Sequence, residues 1–169
     1  SSMAGLHLHT VMVTGANRGI GLGLVQKLLE LPNPPQWVFA ACRDPHGQRA
    51  RGGPGGGGQE PARVGEKLGG LGLTLLINNA GMMKPLYIDA ETLESMSEVY
   101  TTNTIGPLLL GQAFLPLLKK AAQGSPGSAL SCSKAAIINI SSSAGSIASP
   151  EAFELIHVVS YRCSKVPPN

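Results

Sequence analysis

The stretch His9-Thr10-Val11-Met12-Val13-Thr14-Gly15-Ala16-Asn17-Arg18-Gly19-Ile20-Gly21 decides the fold. It begins as a short apolar run rich in β-branched residues, breaks at Thr14-Gly15 and continues as a helical pattern. A strand, a glycine turn and a helix in this order form the first half of a dinucleotide-binding unit. Gly15 allows a sharp turn, Gly19 and Gly21 let a pyrophosphate and the sheet approach the backbone, and the helix start offers N–H groups to phosphates. A tight turn without a ligand is the alternative.

The composition indicates one globular domain over residues 1–169. Of these residues 43% are hydrophobic and only 14% are charged, whereas typical domains carry about 25% charged residues. The net charge of +3 comes from no basic run, which argues against a nucleic-acid partner. No signal peptide or membrane span is visible, and Cys42, Cys132 and Cys163 lack a metal-binding spacing. We expect reduced thiols, no metal, no membrane partner and a cytoplasmic location.

Buried strands alternate with helical patterns along the chain. Apolar runs predict parallel strands, covered on both faces, at 37–41, 73–77 and 135–140, and periodicity predicts helices at 19–31, 90–100 and 107–120. The helix positions expected to face the core are Ile20, Leu24, Leu28 and Leu31, then Leu93, Met96 and Val99 or Tyr100, then Leu108, Leu109, Phe114, Leu115 and Leu118. The alternation predicts an α/β fold, with a doubly wound (Rossmann-like), mostly parallel sheet and helices on both faces.

The segment 47–70 interrupts this alternation. Residues 52–58 comprise six glycines and one proline, which hold regular structure only at a large entropic cost. Residues 64–68 alone have a weakly helical pattern. We expect 47–70 to be a flexible, loosely packed glycine-rich segment and the third strand of the sheet to be missing.

Polar residues follow two of the predicted strands. Asn78-Asn79-Ala80-Gly81 comes after the strand at 73–77, and Ser141-Ser142-Ser143 after the strand at 135–140. The carboxyl ends of parallel strands border the crevice in which such sheets bind ligands. Two amides followed by small residues allow a flat ligand such as adenine to approach, although an ordinary turn is the alternative. Farther along, Tyr161 and Lys165 stand one turn apart if their segment is helical.

Together these motifs resemble the short-chain dehydrogenase/reductase family. In family order, the chain has Thr-Gly-x-x-x-Gly-x-Gly at 14–21, Asn-Asn-Ala-Gly at 78–81, Asn-x-x-Gly at 103–106, a serine three residues before glycine at 142–145, and Tyr-x-x-x-Lys at 161–165. Each pattern alone is common, and their joint order carries the resemblance. The sequence Ser-Tyr-Arg-Cys-Ser-Lys at 160–165, and the long segment at 147–160 that leads to it, are most similar to those of the carbonyl-reductase-like branch, which is related to C-factor and Sniffer proteins.

The resemblance implies reversible hydride transfer between a nicotinamide and a small carbonyl or alcohol substrate. Tyr161 would donate a proton to the carbonyl oxygen, with Lys165 favouring its phenolate form, and Ser142 would orient that oxygen. Asn103 would hold a water in the proton path through its main chain, and Lys165 would also bind the nicotinamide ribose. The implied cofactor-binding residues are Gly15, Asn17, Arg18, Gly19, Ile20, Gly21, Arg43, Asn79, Ala80, Gly81, Tyr161 and Lys165.

Two arginines favour NADP over NAD as the cofactor. Arg18 lies in the glycine turn, and Arg43 closely follows the strand at 37–41, where an acidic residue would instead bind the ribose hydroxyls of NAD. Asp44 comes after Arg43, so two cations stand against one carboxylate. Solvated surface arginines are the alternative.

The chain departs from the family pattern after Lys165. Only Val166-Pro167-Pro168-Asn169 follows, whereas family members continue this helix and add further strands. We therefore expect a truncated domain without the C-terminal strands, in which the strand at 135–140 has an exposed edge. Two hypotheses follow: an NADP-dependent carbonyl reductase, or a catalytically impaired form that binds nucleotide or pairs with a full-length relative. A homo-oligomer is the alternative to pairing with a full-length relative.

Overall fold

The computed structural model describes residues 7–42, 60–124, 131–146, 148 and 157–166. The chain forms two compact units, the first made of 1–79 and 109–139, the second of 80–108 and 140–169. In chain order the strands and α-helices are β1 (Thr10–Thr14), α1 (Gly19–Leu29), β2 (Trp37–Ala41), α2 (Glu60–Leu68), β3 (Leu75–Asn78), α3 (Leu93–Tyr100), α4 (Gly106–Gln123), β4 (Ala136–Asn139) and α5 (Val159–Ser164). Short 3-10 turns lie at Ile88–Ala90 and Ser143–Gly145, and a π-helical turn at Thr101–Ile105.

The first unit is built on a parallel sheet of four strands in the order β2-β1-β3-β4. β1 pairs with β2 along its whole length, from Thr10 opposite Trp37 to Thr14 opposite Ala41. Both central strands, β1 and β3, are buried at every position. Parallel neighbours require crossover connections, and α1 provides the one between β1 and β2. The predicted Rossmann-like α/β class is confirmed.

One part of the segment predicted to be loosely packed is an ordered helix. α2 occupies residues 60–68, and Val64 and Leu68 on it are 7% and 2% exposed. Because these side chains stand one turn apart, both reach the core, whose members are Met12, Val64, Leu68, Leu73, Leu76, Phe114 and Leu118. The prediction of a flexible 47–70 segment is therefore wrong for 60–68, and its residues 47–59 lie outside the described part. The sequence also predicts that the third strand is missing: within the described residues no strand lies between β2 and β3.

The two outer strands are more exposed than the sequence predicts. Ile137 and Ile138 of β4 are 42% and 40% exposed, and Trp37 of β2 is 39% exposed. Coverage on both faces was expected for these runs, and that prediction is wrong. Each of these strands pairs on one side only within the described residues, so β4 has the exposed edge that was expected.

The helices bury fewer of their apolar positions than predicted. Leu28, Val99, Phe114 and Leu118 are buried as expected. The exposed positions are Ile20 at 68%, Leu93 at 84%, Leu108 at 61%, Leu109 at 56% and Leu115 at 42%. On α4 the residues at 108 and 115 share one stripe, while those at 114 and 118 share another, and only the second faces the core. None of the described helices has both the length and the apolar character that a bilayer crossing requires.

Gly72, just before β3, makes the closest glycine approach to α4. A Cβ placed there would lie 2.1 Å from the backbone N of Ala121 and 2.5 Å from the Leu117 carbonyl oxygen. We expect Gly72→Ala to lower the free energy of unfolding by about 1 to 3 kcal/mol, because backbone atoms must move to admit the methyl group.

Gly23→Ala is the matched control for Gly72→Ala, and urea titration of both variants measures the change in the free energy of unfolding. Gly23 lies inside α1, and a Cβ there meets no atom within 4 Å. Alanine at this helix position should stabilise the chain by about 0.5 to 1 kcal/mol. Equal effects of the two substitutions would contradict the close approach.

Candidate functional site

The glycine loop after β1 has the backbone conformation that its sequence pattern predicts. Gly15 and Gly19 have φ values of 64° and 54°, in the left-handed region that favours glycine. At Gly21, a Cβ would lie 2.2 Å from the Gly15 carbonyl oxygen and 2.5 Å from Nδ2 of Asn79. The loop therefore folds against its own first residue, and only glycine fits at position 21.

Asn79 holds the start of this loop. Its Nδ2 donates hydrogen bonds to the carbonyl oxygens of Thr14, at 3.0 Å, and Gly15, at 3.3 Å. Its backbone N–H donates to Oγ1 of Thr14 at 3.1 Å. The neighbouring Asn78 donates from Nδ2 to Oδ1 of Asn139 at 2.8 Å, which joins the ends of β3 and β4. Both amide groups thus fix the carboxyl edge of the sheet.

The N-terminus of α1 is open to an anion. Arg18 is its N-cap residue, no side chain caps it, and its first turn contains no acidic residue. Asn17, Arg18 and Ile20 are all exposed. Unpaired N–H groups at a helix start bind phosphate readily, so the residues of this loop fit the pyrophosphate of a dinucleotide. Arg43, the second predicted phosphate ligand, lies outside the described residues.

In the second unit, Asn103 lies in the π-helical turn between α3 and α4. Its side chain is buried and accepts a hydrogen bond at Oδ1 from the backbone N–H of Met82, at 2.8 Å. Its Nδ2 donates to the Met82 carbonyl and to Oγ of Ser164, both at 2.8 Å. A π turn widens the helix locally, and such turns are frequent at functional sites. Asn103 thereby ties the segment after Ala80-Gly81 to α5.

Tyr161 and Lys165 stand one helical turn apart, as predicted. The Tyr161 carbonyl accepts hydrogen bonds from the backbone N–H of Lys165, at 3.0 Å, and from Oγ of Ser164, at 2.8 Å. Lys165 is the residue that directly follows α5. Its Nζ lies 5.8 Å from the centroid of the Tyr161 ring, within reach of a favourable interaction between a cation and an aromatic ring.

Lys165 is a buried amine. Its Nζ donates to the Ile140 carbonyl oxygen at 2.8 Å, and the residue is 8% exposed. Burial lowers the pKa of this amine below its ordinary value, because the charged form loses hydration. A protonated lysine has three hydrogens, so the bond to Ile140 leaves two of them for other acceptors.

The serine turn, residues 141–145, packs against the main chain of Lys165. Ser141 donates from Oγ to the Lys165 carbonyl at 2.8 Å. Ser142 is the N-cap of the 3-10 turn and accepts at Oγ from the backbone N–H of Ala144, at 3.2 Å. This contact uses the Ser142 oxygen as an acceptor and leaves its hydroxyl hydrogen for a bond to a ligand. Ser143 is exposed.

The second unit therefore brings together the four predicted catalytic residues, Asn103, Ser142, Tyr161 and Lys165, and the first unit holds the glycine loop together with Asn79. The linking residues Ser141 and Ser164 were not singled out from the sequence, although both lie inside the quoted motifs. In the described residues no group of three His, Cys, Asp or Glu side chains could hold a metal ion.

The buried contacts of Asn103 generate a stability prediction. Asn103→Asp removes both Nδ2–H donors and places a carboxylate oxygen against the Met82 carbonyl. We expect the free energy of unfolding to fall by about 1 to 3 kcal/mol. The same exchange at exposed Asn17 should change it by less than about 0.5 kcal/mol. Thermal unfolding of both variants checks this, and comparable losses would argue against the three bonds.

Comparisons with known proteins agree with this arrangement. A family model described as short chain dehydrogenase matches residues 62–166. The NADPH-bound carbonyl reductase from chicken fatty liver is 59% identical, with a TM-score of 0.88 over 95% of this chain. Sniffer of Caenorhabditis elegans is 38% identical, with a TM-score of 0.80 over 95% of the chain, and the carbonyl reductase Sniffer of Drosophila melanogaster 34%, with 0.79 over 94%. A search of curated proteins found no match.

The chain spans only part of these relatives. It covers 66% of the chicken enzyme, 73% of the nematode Sniffer and 70% of the fly Sniffer. Within that part, the family match, the parallel sheet and the Tyr161–Lys165 geometry agree. The chain belongs to the short-chain dehydrogenase/reductase family, in its carbonyl-reductase-like branch.

Proposed function

We propose that this chain is an NADP-dependent oxidoreductase that transfers a hydride between nicotinamide and the carbonyl or alcohol group of a small substrate. The observation that carries the proposal is the placement of Tyr161 and Lys165, with the Lys165 amine 5.8 Å from the phenol ring. When it is bound, the nicotinamide supplies or accepts the hydride. The chain's own residues supply the proton and hold the substrate oxygen.

Tyr161 donates the proton in the reducing direction. As negative charge develops on the carbonyl oxygen, the phenol O–H transfers its hydrogen there, and in the oxidising direction the phenolate takes it back. The Lys165 ammonium is fixed by the Ile140 carbonyl and stabilises the phenolate by its charge. Ser142 donates its hydroxyl hydrogen to the same substrate oxygen and orients it.

Asn103 acts as a support in this scheme. Its side chain is already committed to Met82 and Ser164, so it is not available to pass a proton. Its bond to Ser164 fixes the residue next to Lys165, and the Ser164 hydroxyl is in turn bonded to the Tyr161 carbonyl. A contribution to the proton path would therefore run through the Asn103 main chain and a water.

Cofactor preference is assigned to Arg18. It is exposed at the N-cap of α1, beside the N–H groups proposed to bind phosphate. A guanidinium suits a phosphate because it offers a planar set of donors. The NADPH bound to the chicken carbonyl reductase supports the assignment. Arg43 is retained as a second ligand on its position in the sequence.

Tyr161→Phe tests the chemical assignment. We expect the rate of NADPH oxidation with a panel of carbonyl compounds to fall about 100-fold or more, because the proton donor is lost. NADPH binding, followed by fluorescence titration, should persist. Tyr87→Phe is the control, since Tyr87 is exposed and its ring contacts that of His157. NADPH binding without turnover in the unsubstituted chain would instead support the nucleotide-binding form.

Arg18→Ala tests the cofactor preference. Loss of a charged hydrogen bond to the extra phosphate should weaken NADPH binding about 10-fold to 100-fold and leave NADH binding unchanged. Arg63→Ala on α2 is the control for a general change in charge. If the affinities for NADPH and NADH fall equally, Arg18 does not recognise the extra phosphate.

A further inference from the structure

The helix that carries Tyr161 begins without a cap of its own. Val158, the N-cap residue of α5, has φ 37° and ψ 47° and makes no side-chain capping bond. This left-handed conformation is unfavourable for a β-branched residue and persists only where surrounding contacts impose it. The backbone N–H of Val158 donates to the Leu86 carbonyl at 3.2 Å, and its side chain is buried. The start of α5 is thus held by the segment that precedes α3.

Glu91 supplies the missing cap from that segment. Its Oε1 accepts a hydrogen bond from the backbone N–H of Ser160 at 2.9 Å, and its Oε2 accepts from Oγ of Ser160 at 2.5 Å. Ser160 has no exposed surface. A carboxylate at the first turn of a helix satisfies an orphan donor and interacts favourably with the helix dipole.

The same carboxylate is tied to the start of α3. Oγ of Ser95 donates to Oε2 of Glu91 at 3.0 Å, and Ser95 and Thr92 form a reciprocal capping pair at the helix start. Burial acts to raise the pKa of Glu91, but the bonds from Ser160 and Ser95 outweigh it, so this pKa lies below its ordinary value. The group is therefore a carboxylate at neutral pH. One ionised side chain joins the first turns of two helices.

We propose that Glu91 is a positioning residue for Tyr161: by holding both the amide and the hydroxyl of Ser160, it fixes the first turn of α5 and with it the phenol of the next residue. This inference rests on the proposed function, in which Tyr161 transfers the proton. Small displacements of a proton donor are costly for the rate even where the fold is intact.

The kinetic test compares two substitutions of Glu91 with one substitution of its neighbour Thr92. Glu91→Ala should lower kcat about 10-fold to 100-fold with the KM for NADPH unchanged, because the phenol is displaced while the cofactor loop is untouched. Glu91→Gln keeps an acceptor for the Ser160 amide and should restore most of kcat. Thr92→Ala removes only the cap of α3 and should leave kcat unchanged although it destabilises that helix. Loss of kcat in proportion to thermal stability in all three would overturn the proposal.

Hydrogen exchange gives a readout that does not depend on turnover. In Glu91→Ala the amides of residues 160–165 should exchange faster, whereas in Thr92→Ala the faster exchange should be confined to α3. If exchange in α5 is the same with and without the Glu91 carboxylate, the proposal is wrong whether or not the chain reduces carbonyls. If the unsubstituted chain shows no turnover and Glu91→Ala still exchanges faster in α5, the result would support the role of Glu91 in fixing α5 and contradict the proposed function.

Discussion

The pairing of β1 with β3 is the constraint on which the first unit depends. Val11, Met12 and Val13 lie opposite Leu75, Leu76 and Ile77, and this register brings the carboxyl ends of both strands to the same edge. Only there can Asn79 reach the carbonyl oxygens of Thr14 and Gly15. A slip by one residue would turn every side chain of a strand to the opposite face, and the loop would lose its anchor. The conformation of the glycine loop is thus decided by packing between strands as well as by its glycines.

The second unit concentrates unfavourable features around its candidate catalytic residues. The Lys165 amine is buried, Val158 is in a left-handed conformation, and the helix at Asn103 widens into a π turn. Each is disfavoured in isolation, and each is offset by specific bonds: from Lys165 to Ile140, from Val158 to Leu86, and from Asn103 to Met82 and Ser164. Local conflicts of this kind are expected where a protein holds reactive groups in fixed positions.

Local patterns in the sequence were sufficient for the central strands, the positions of the turn glycines and the spacing of Tyr161 and Lys165, because each depends on residues close together in the chain. They failed at the outer strands and on α4, since periodicity identifies apolar side chains without showing what covers them. They also gave no sign of the contact between Glu91 and Ser160, which lie 69 residues apart. A single Glu followed much later by a Ser has no local signature, and only the tertiary fold brings them together.

Gly145 limits the variation that the serine turn can accumulate. Its hypothetical Cβ would lie 2.3 Å from the Lys165 carbonyl oxygen, so the turn and the residue after α5 are in direct backbone contact. Ser143 and Ser146, on either side of it in the chain, are exposed, so we expect these two positions to accept side chains of different sizes. One position with a single permitted residue is therefore close to two tolerant ones. A side chain at position 145 requires a compensating movement of the backbone at Lys165, 20 residues later in the chain. We therefore expect substitutions of Gly145 to occur only together with changes at the end of α5.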